Sequence, residues 1–428
     1  MSANLDLIDN LVKVFPENIS NKPVPVDVIP QIVSYLPDTL TNNNIYKVVN
    51  NYFSSDINKK ENVIKNYGNI DKWDVRNVTS MSKLFEGYEN FNEDISNWNV
   101  SNVTNMESMF YRAYTFNQSL DKWDVSNVKN MTRMFKSTNS FNKPLNNWNV
   151  SSVKNMQGMF EGSRIFNQSL SKWNVSNVTN MSCMFSDTDN YNESINNWNV
   201  LNVVNMEAMF QYSLSYNQPM NNWNTHNVKY MSNMFCGAIS FNQSIYNWSV
   251  SNVTRMDDMF MYANSFNQPI NSWNVSNVMT MSHMFYSTKS FNKPLNNWDV
   301  SNVIDMKYMF FNASSFNKPL NNWDVSSVID MNNMFCGAIS FNQFINDWNV
   351  SNVINMTYMF MNTQYSQPLN NWNYTNATML RGTCHMFDGK KFFNIDENAP
   401  YSQGIYKRRR VTNKTKNKNK KQKIKKND

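Results

Sequence analysis

Histidine, cysteine and glycine are scarce in this chain of 428 residues, at three, four and nine copies. Four cysteines spread over positions 183, 236, 336 and 384 cannot frame a disulfide scaffold in a chain of this length, and they lack zinc-ligand spacing. So few glycines leave no phosphate-cradling loop. None of His226, His283 and His385 sits in a metal or catalytic spacing. His226 and His283 are expected on the surface, and Cys384-His385 alone falls short of the four ligands a structural zinc needs. No stretch approaches the roughly 18 consecutive apolar residues that would span a bilayer. The first residues lack a basic start, an apolar run and a small-residue cleavage site. Together with the few cysteines, this gives the expectation of an intracellular protein, cytoplasmic or nuclear, with no cofactor and no catalysis.

Charge is low, at 17%, and unevenly placed. Residues 407–428 hold twelve Lys/Arg and one Asp, leaving 27 Lys/Arg against 31 Asp/Glu in residues 1–406. The excess positive charge therefore belongs to a tail. Lys407, Arg408, Arg409, Arg410, Lys420 and Lys421 are its candidate contacts, for an importin or for nucleic acid through sequence-independent phosphate attraction. A merely solubilising end is the alternative. The expected boundaries are a helical unit over 1–69, a repeat region over 70–397, and a disordered basic tail over 398–428.

What the chain does have is a repeat. Its thirteen tryptophans are Trp73, Trp98, Trp123, Trp148, Trp173, Trp198, Trp223, Trp248, Trp273, Trp298, Trp323, Trp348 and Trp372. Every interval is 25 except the last, which is 24. With Trp as slot 0, the unit reads Trp-[Asp/Asn]-Val-Ser-Asn-Val, then Met at slots +8 and +11, Phe at +12, Phe-Asn at +18 and +19, and Leu or Ile at +22. A 25-residue period lies in the leucine-rich-repeat range. Leu120 to Val128 follows that register, so Trp and the Val after it read as inward positions of a short strand. Val128, Met131, Met134 and Phe135 then recur at helical spacing.

The expected fold is an α/β repeat solenoid, leucine-rich-repeat-like, with about thirteen stacked coils. Each coil would be a short parallel strand plus a short helix, under a helical N-terminal cap. Asn at slots +4 and +19 is expected to form hydrogen-bonded ladders between turns. The carboxylates at slot +1 (Asp74, Asp124, Asp299, Asp324) read as a polar face. Slots +13 to +17 vary most and are the candidate contact edge.

The string over 123–142 resembles the BspA-type leucine-rich-repeat family, found in bacterial surface proteins and in proteins of large DNA viruses and protists. The resemblance implies a non-catalytic binding or adhesion scaffold. Heavy use of Asn, Lys and Ile fits an AT-rich genome. Residues 24–37, with Val49-Asn50-Asn51-Tyr52-Phe53 following, are similar to an F-box. That resemblance implies an Skp1-type adaptor docked on Pro25, Asp27, Val28, Ile29, Ile32, Leu36 and Phe53. The same residues would equally make a plain amphipathic cap over the first coil. Two functions stand open. One is a scaffold that selects a protein partner and recruits a ubiquitin ligase, the other a surface or virion repeat protein binding cells or glycans.

Overall fold

A computed structural model describes residues 39–373, together with 376–377 and 386. The chain divides into two compact units, 1–223 and 224–428, each built of the same coil.

Unit 1 opens with two helices. In α1, Ile45–Tyr52, the residues Ile45, Val48, Val49 and Tyr52 recur at i, i+3, i+4 and i+7 and form the buried face. Helix α2, Ile57–Tyr67, starts where the Asp56 side chain accepts the Asn58 N–H at 3.0 Å. It stops at Gly68 (φ 75°), whose N–H bonds the Ile64 carbonyl. A 3-10 turn, Ile70–Lys72, leads into Trp73. Helix α1 and the segment before it close off the first coil. The Leu40 N–H donates to the Asp74 carbonyl at 3.3 Å, and the Tyr46 hydroxyl donates to the Ser82 carbonyl at 2.8 Å. The Tyr52 ring meets Trp73 edge-on at 5.4 Å.

In the coils of both units the inner slots are dry. Trp at slot 0, Val at +5, Met at +8 and +11, Phe at +12 and Phe or Tyr at +18 are all buried, most of them completely. Equivalent rings stack from coil to coil: Phe110, Phe135 and Phe160 in unit 1 at 5.5 and 5.6 Å, and Trp273, Trp298 and Trp323 in unit 2 at 6.5 and 6.4 Å. Offset columns of this kind bury large apolar area with favourable ring geometry. Each Trp also has its polar end satisfied. Trp123 Nε1–H donates to the Ile95 carbonyl and Trp298 Nε1–H to the Ile270 carbonyl, 28 residues earlier in both cases.

The coil differs locally from the expected strand plus helix. Among the described residues the coils hold no named strand and no α-helix of more than two residues; parallel pairing is one residue wide, at slot +7, as in Asn105 with Asn130 and Asp305 with Asp330. Around Trp no strand is assigned, and the Trp123 N–H bonds the Leu120 carbonyl three residues back rather than a neighbouring coil. From +8 to +15 the N–H groups alternate. Those of Met106, Ser108, Phe110 and Arg112 donate to Asn130, Thr132, Met134 and Lys136 of the next coil, while those of Met109, Tyr111 and Ala113 close turns three residues back.

The alternation depends on left-handed backbone at slots +10 and +14. In the twelve coils that start at Trp73 to Trp348, every residue in these two slots has positive φ, from Lys83 (62°) and Gly87 (76°) to Tyr358 (58°) and Asn362 (57°). A left-handed residue breaks an α-helix, and after slot +10 the next N–H closes a turn three residues back while the one beyond donates to the next coil. The spacing shows why helices are absent: rings of successive coils are about 6 Å apart, whereas an α-helix with its side chains is about 10–12 Å across.

The asparagine ladders are present. At slot +4, Asn127 Nδ2 donates to the Ser101 carbonyl and Asn302 Nδ2 to the Ser276 carbonyl. At slot +19, the Oδ1 atoms of Asn117 and Asn292 accept the N–H of Asn142 and Asn317. Slot +1 alternates between Asp and Asn because either side chain accepts the slot +3 N–H, as Asp124 does from Ser126 and Asn99 from Ser101.

Candidate interaction face

Between slots +6 and +16 the side chains other than the buried +8, +11, +12 and +15 vary from coil to coil, and here the two units part. In unit 1 the slots +10 and +13 include two ion pairs. Lys136 Nζ lies 2.7 Å from Glu161 Oε1, Lys83 Nζ lies 3.5 Å from Glu86, and Arg112 and Lys136 sit over the Tyr111 ring at 5.0 and 5.7 Å. Slot +6 in unit 1 reads Thr79, Thr104, Lys129, Lys154, Thr179 and Val204.

Unit 2 carries aromatic rings in the same places. Tyr286 meets Tyr262 edge-on at 5.2 Å and stacks on Phe311 at 4.6 Å. His283 stacks on Tyr308 at 4.9 Å and 11°. Slot +6 becomes Met279, Ile304, Ile329 and Ile354 in four successive coils, all exposed. Tyr308 and His283 share left-handed backbone at slot +10, with φ of 56° and 55°.

A set of titratable groups lies beneath these rings. Asp257 is buried, which works to raise its pKa, yet hydrogen bonds from Ser282 Oγ, Thr280 Oγ1 and Arg255 Nε hold it below the usual carboxylate range. Asp258 has no such donors. Burial first, then the neighbouring Asp257 carboxylate, push it up to about 6. His283 Nδ1 is 3.6 Å from Asp258 Oδ1, but burial and then the Lys307 ammonium lower the imidazole pKa. At neutral pH the contact is therefore carboxylate to neutral ring. Further along, Lys307 Nζ lies 3.1 Å from Asp305 Oδ2, and burial raises Asp330 beside it. Among the described residues no group of three or more His, Cys, Asp or Glu is placed to hold a metal ion. Nor is any described helix long and apolar enough to cross a membrane.

Several expected positions read differently in three dimensions. His283 is half-buried rather than solvated, because no helix holds it outward; His226 is exposed as expected. The proposed contact edge at +13 to +17 splits. Slot +15 points inward in both units, where Thr138 Oγ1 donates to the Phe110 carbonyl and Thr288 Oγ1 to the Phe260 carbonyl. Slot +16 stays mostly outside, as in Lys289 and Ile339. Slots +6 and +10 also reach the surface in several coils and were not among the expected contact positions. Their signal was the run of apolar residues at +6 in coils nine to twelve. Burial pushes the thiol of Cys183 to about 11 and that of Cys336 to about 12, so neither is a reactive thiolate.

Of the seven adaptor-docking candidates, Pro25, Asp27, Val28, Ile29, Ile32 and Leu36 lie outside the described residues. Phe53 caps the end of α1 and is half-buried against Phe85, Tyr88 and Phe91 of the first coil, at 6.4, 5.1 and 5.7 Å. Its ring serves the cap. The tail candidates Lys407, Arg408, Arg409, Arg410, Lys420 and Lys421 also lie outside the described residues.

No curated protein matches the chain. One family sequence model matches it four times in tandem, over residues 52–171, 143–243, 216–323 and 306–425. These matches span the coils of both units, and the repeat they share is BspA-like. The chain belongs to the family described as Mycoplasma protein of unknown function, DUF285.

Proposed function

We propose that this chain is a non-enzymatic, intracellular repeat scaffold, a leucine-rich-repeat-like solenoid whose outward turn face in unit 2 holds a protein partner. The observation that carries this reading is the contrast in side chains at equal slots. Inner slots are the same in both units because burial demands it. Slots +6, +10 and +13 vary from coil to coil, and in unit 2 they collect the exposed Met279 and Ile304, the half-exposed Tyr308 and Phe311, and Tyr286, whose largely buried ring packs beside them. Aromatic and aliphatic side chains gathered on one face are characteristic of contact surfaces, and Tyr is among the residues that dominate binding energy.

The test is alanine replacement of Tyr308 and Phe311 in the full chain, with proximity labelling in the source cells as readout. Loss of a specific set of labelled proteins, against no loss when Tyr111 and Lys136 of unit 1 are replaced, supports the reading. An unchanged set in both cases rejects it.

A further inference from the structure

We infer that the slot +6 row of unit 2, Met279-Ile304-Ile329-Ile354, is a docking strip for an amphipathic helix with basic residues along one flank. This rests on the scaffold reading and specifies its partner. The four side chains are 50, 38, 44 and 40% exposed, and their backbones form one continuous ladder. Each slot +6 N–H donates to the slot +6 carbonyl of the preceding coil: Ile304 to Met279, Ile329 to Ile304 and Ile354 to Ile329, at 2.9 to 3.0 Å. The fold does not ask for apolar residues here, since unit 1 places Thr104, Lys129, Lys154 and Thr179 on the same ladder.

Spacing selects the form of the occupant. Ladder neighbours sit about 4.8 Å apart, so four rungs cover about 14 Å. A helix with apolar residues at i, i+3, i+7 and i+10 presents them over about 15 Å, at 1.5 Å per residue. An extended strand presents alternate residues about 6.7 Å apart and drifts out of step by the second rung. Area also limits the choice. At these exposures the strip is on the order of 300 Å², well short of the roughly 800 Å² per partner buried in a standard protein interface. A second copy of this chain is thus a poor fit, and a short helix a good one.

Charge selects the flank. Asp305 and Asp330 follow Ile304 and Ile329 directly and pair with each other across the coils, on one side of the strip. Lys307 is bound to Asp305, and Asp330 takes the Asn332 N–H, with no ammonium of its own within 4 Å among the described residues. The other side begins with Ser301, Asn302, Ser326, Ser327 and Ser351, and its carboxylates, Asp299 and Asp324, are engaged by the Ser301 and Ser326 N–H groups. A Lys or Arg beside the apolar face of the partner would meet the Asp330 carboxylate, which directly adjoins the strip.

The test uses a fluorescein-labelled helical peptide with Leu at i, i+3, i+7 and i+10 and Lys along one flank, titrated with the full chain by anisotropy. Saturable binding is expected. It should weaken at least tenfold in Ile304→Thr/Ile329→Thr, which installs the unit 1 residue, and at least threefold in Asp330→Asn, with a flatter salt dependence. A peptide of the same composition with Leu at every second position should bind at least tenfold more weakly. Circular dichroism and melting of each variant, unchanged from the parent, exclude unfolding as the cause. No saturable binding, or binding indifferent to the Thr pair, overturns the strip. So does a dimer of the parent chain that the Thr pair converts to monomer. If the strip fails while Tyr308→Ala still removes labelled partners, the scaffold reading survives without it.

Discussion

Units 1 and 2 share a coil and differ in its outer skin. Trp198 and Trp298 are each 2% exposed, and their indoles donate to Leu170 and Ile270 in the same way. Yet slot +13 holds Glu86, Tyr111, Lys136, Glu161, Ser186 and Gln211 in unit 1, mostly polar, and Cys236, Met261, Tyr286, Phe311, Cys336 and Met361 in unit 2, all apolar or aromatic. The lesson is that in a tandem repeat the inner slots report only on folding. Information about partners resides in outer slots that drift from coil to coil, and a run of like residues there is worth more than any single one.

The comparison can be broken most strongly in the core. Trp198→Ala and Trp298→Ala should each cost about 3–5 kcal/mol, the range for removing a large buried aromatic, read by urea denaturation. Similar losses support equivalent cores; a loss under about 1 kcal/mol for either contradicts it.

The next effect has opposite signs in the two units. Asp258 has a folded-state pKa of about 6, above the unfolded carboxylate value near 3.9. Its contribution is full below pH 4 and is lost as pH rises through 6. Asp258→Asn should therefore stabilise the chain at pH 8, by about 1–2 kcal/mol, and add little at pH 3.5. Asn also suits the left-handed backbone there, as Asn233 and Asn333 show at the same slot. In unit 1, hydrogen bonds from the Ser126 side chain and N–H lower the pKa of Asp124. Its stabilisation is present above the unfolded value and is lost on acidification. Asp124 is exposed, so Asp124→Asn should lose only a few tenths of a kcal/mol at pH 8 after solvent screening.

Backbone strain gives a third effect. Gly87 has φ 76° and nothing within 4 Å of where a Cβ would stand. Gly87→Ala should cost about 1 kcal/mol from conformation alone. The same slot in unit 2 holds Asn312, and Asn312→Gly should change stability by only a few tenths, because Asn tolerates that region well. Thermal melts of both variants suffice. A neutral Gly87→Ala would mean that the left-handed slots are not what keeps the coil from becoming a helix.

Much of the hydrogen bonding was legible in the sequence. The fixed Trp spacing, the inward Trp-x-Val alternation and the two Asn ladders follow from residues that have one good use each. The helix did not survive, for a definite reason. Val128, Met131, Met134 and Phe135 have helical spacing, but back-to-back turns that close three residues back also bring every third side chain inward. A signal was available: Gly87, Gly158, Gly162, Gly237 and Gly337, five of the nine glycines, all fall in slots +10 and +14. Because the helix was misread, His283 was expected to be solvated and the outer slots were miscounted. The aromatic cluster of Tyr262, Tyr286, Tyr308 and Phe311 was hidden for the same reason, since those residues come together only when three coils are stacked.

The central claim, that unit 2 and not unit 1 meets the partner, is tested most directly by a photo-crosslinking benzophenone amino acid placed at one slot in both units. Ser108 and Tyr308 both occupy slot +10, with φ of 53° and 56°. Irradiation of the full chain in source cells should give a discrete adduct from position 308 and none from position 108. Equal adducts from both positions, or an adduct from position 108 alone, would contradict the account.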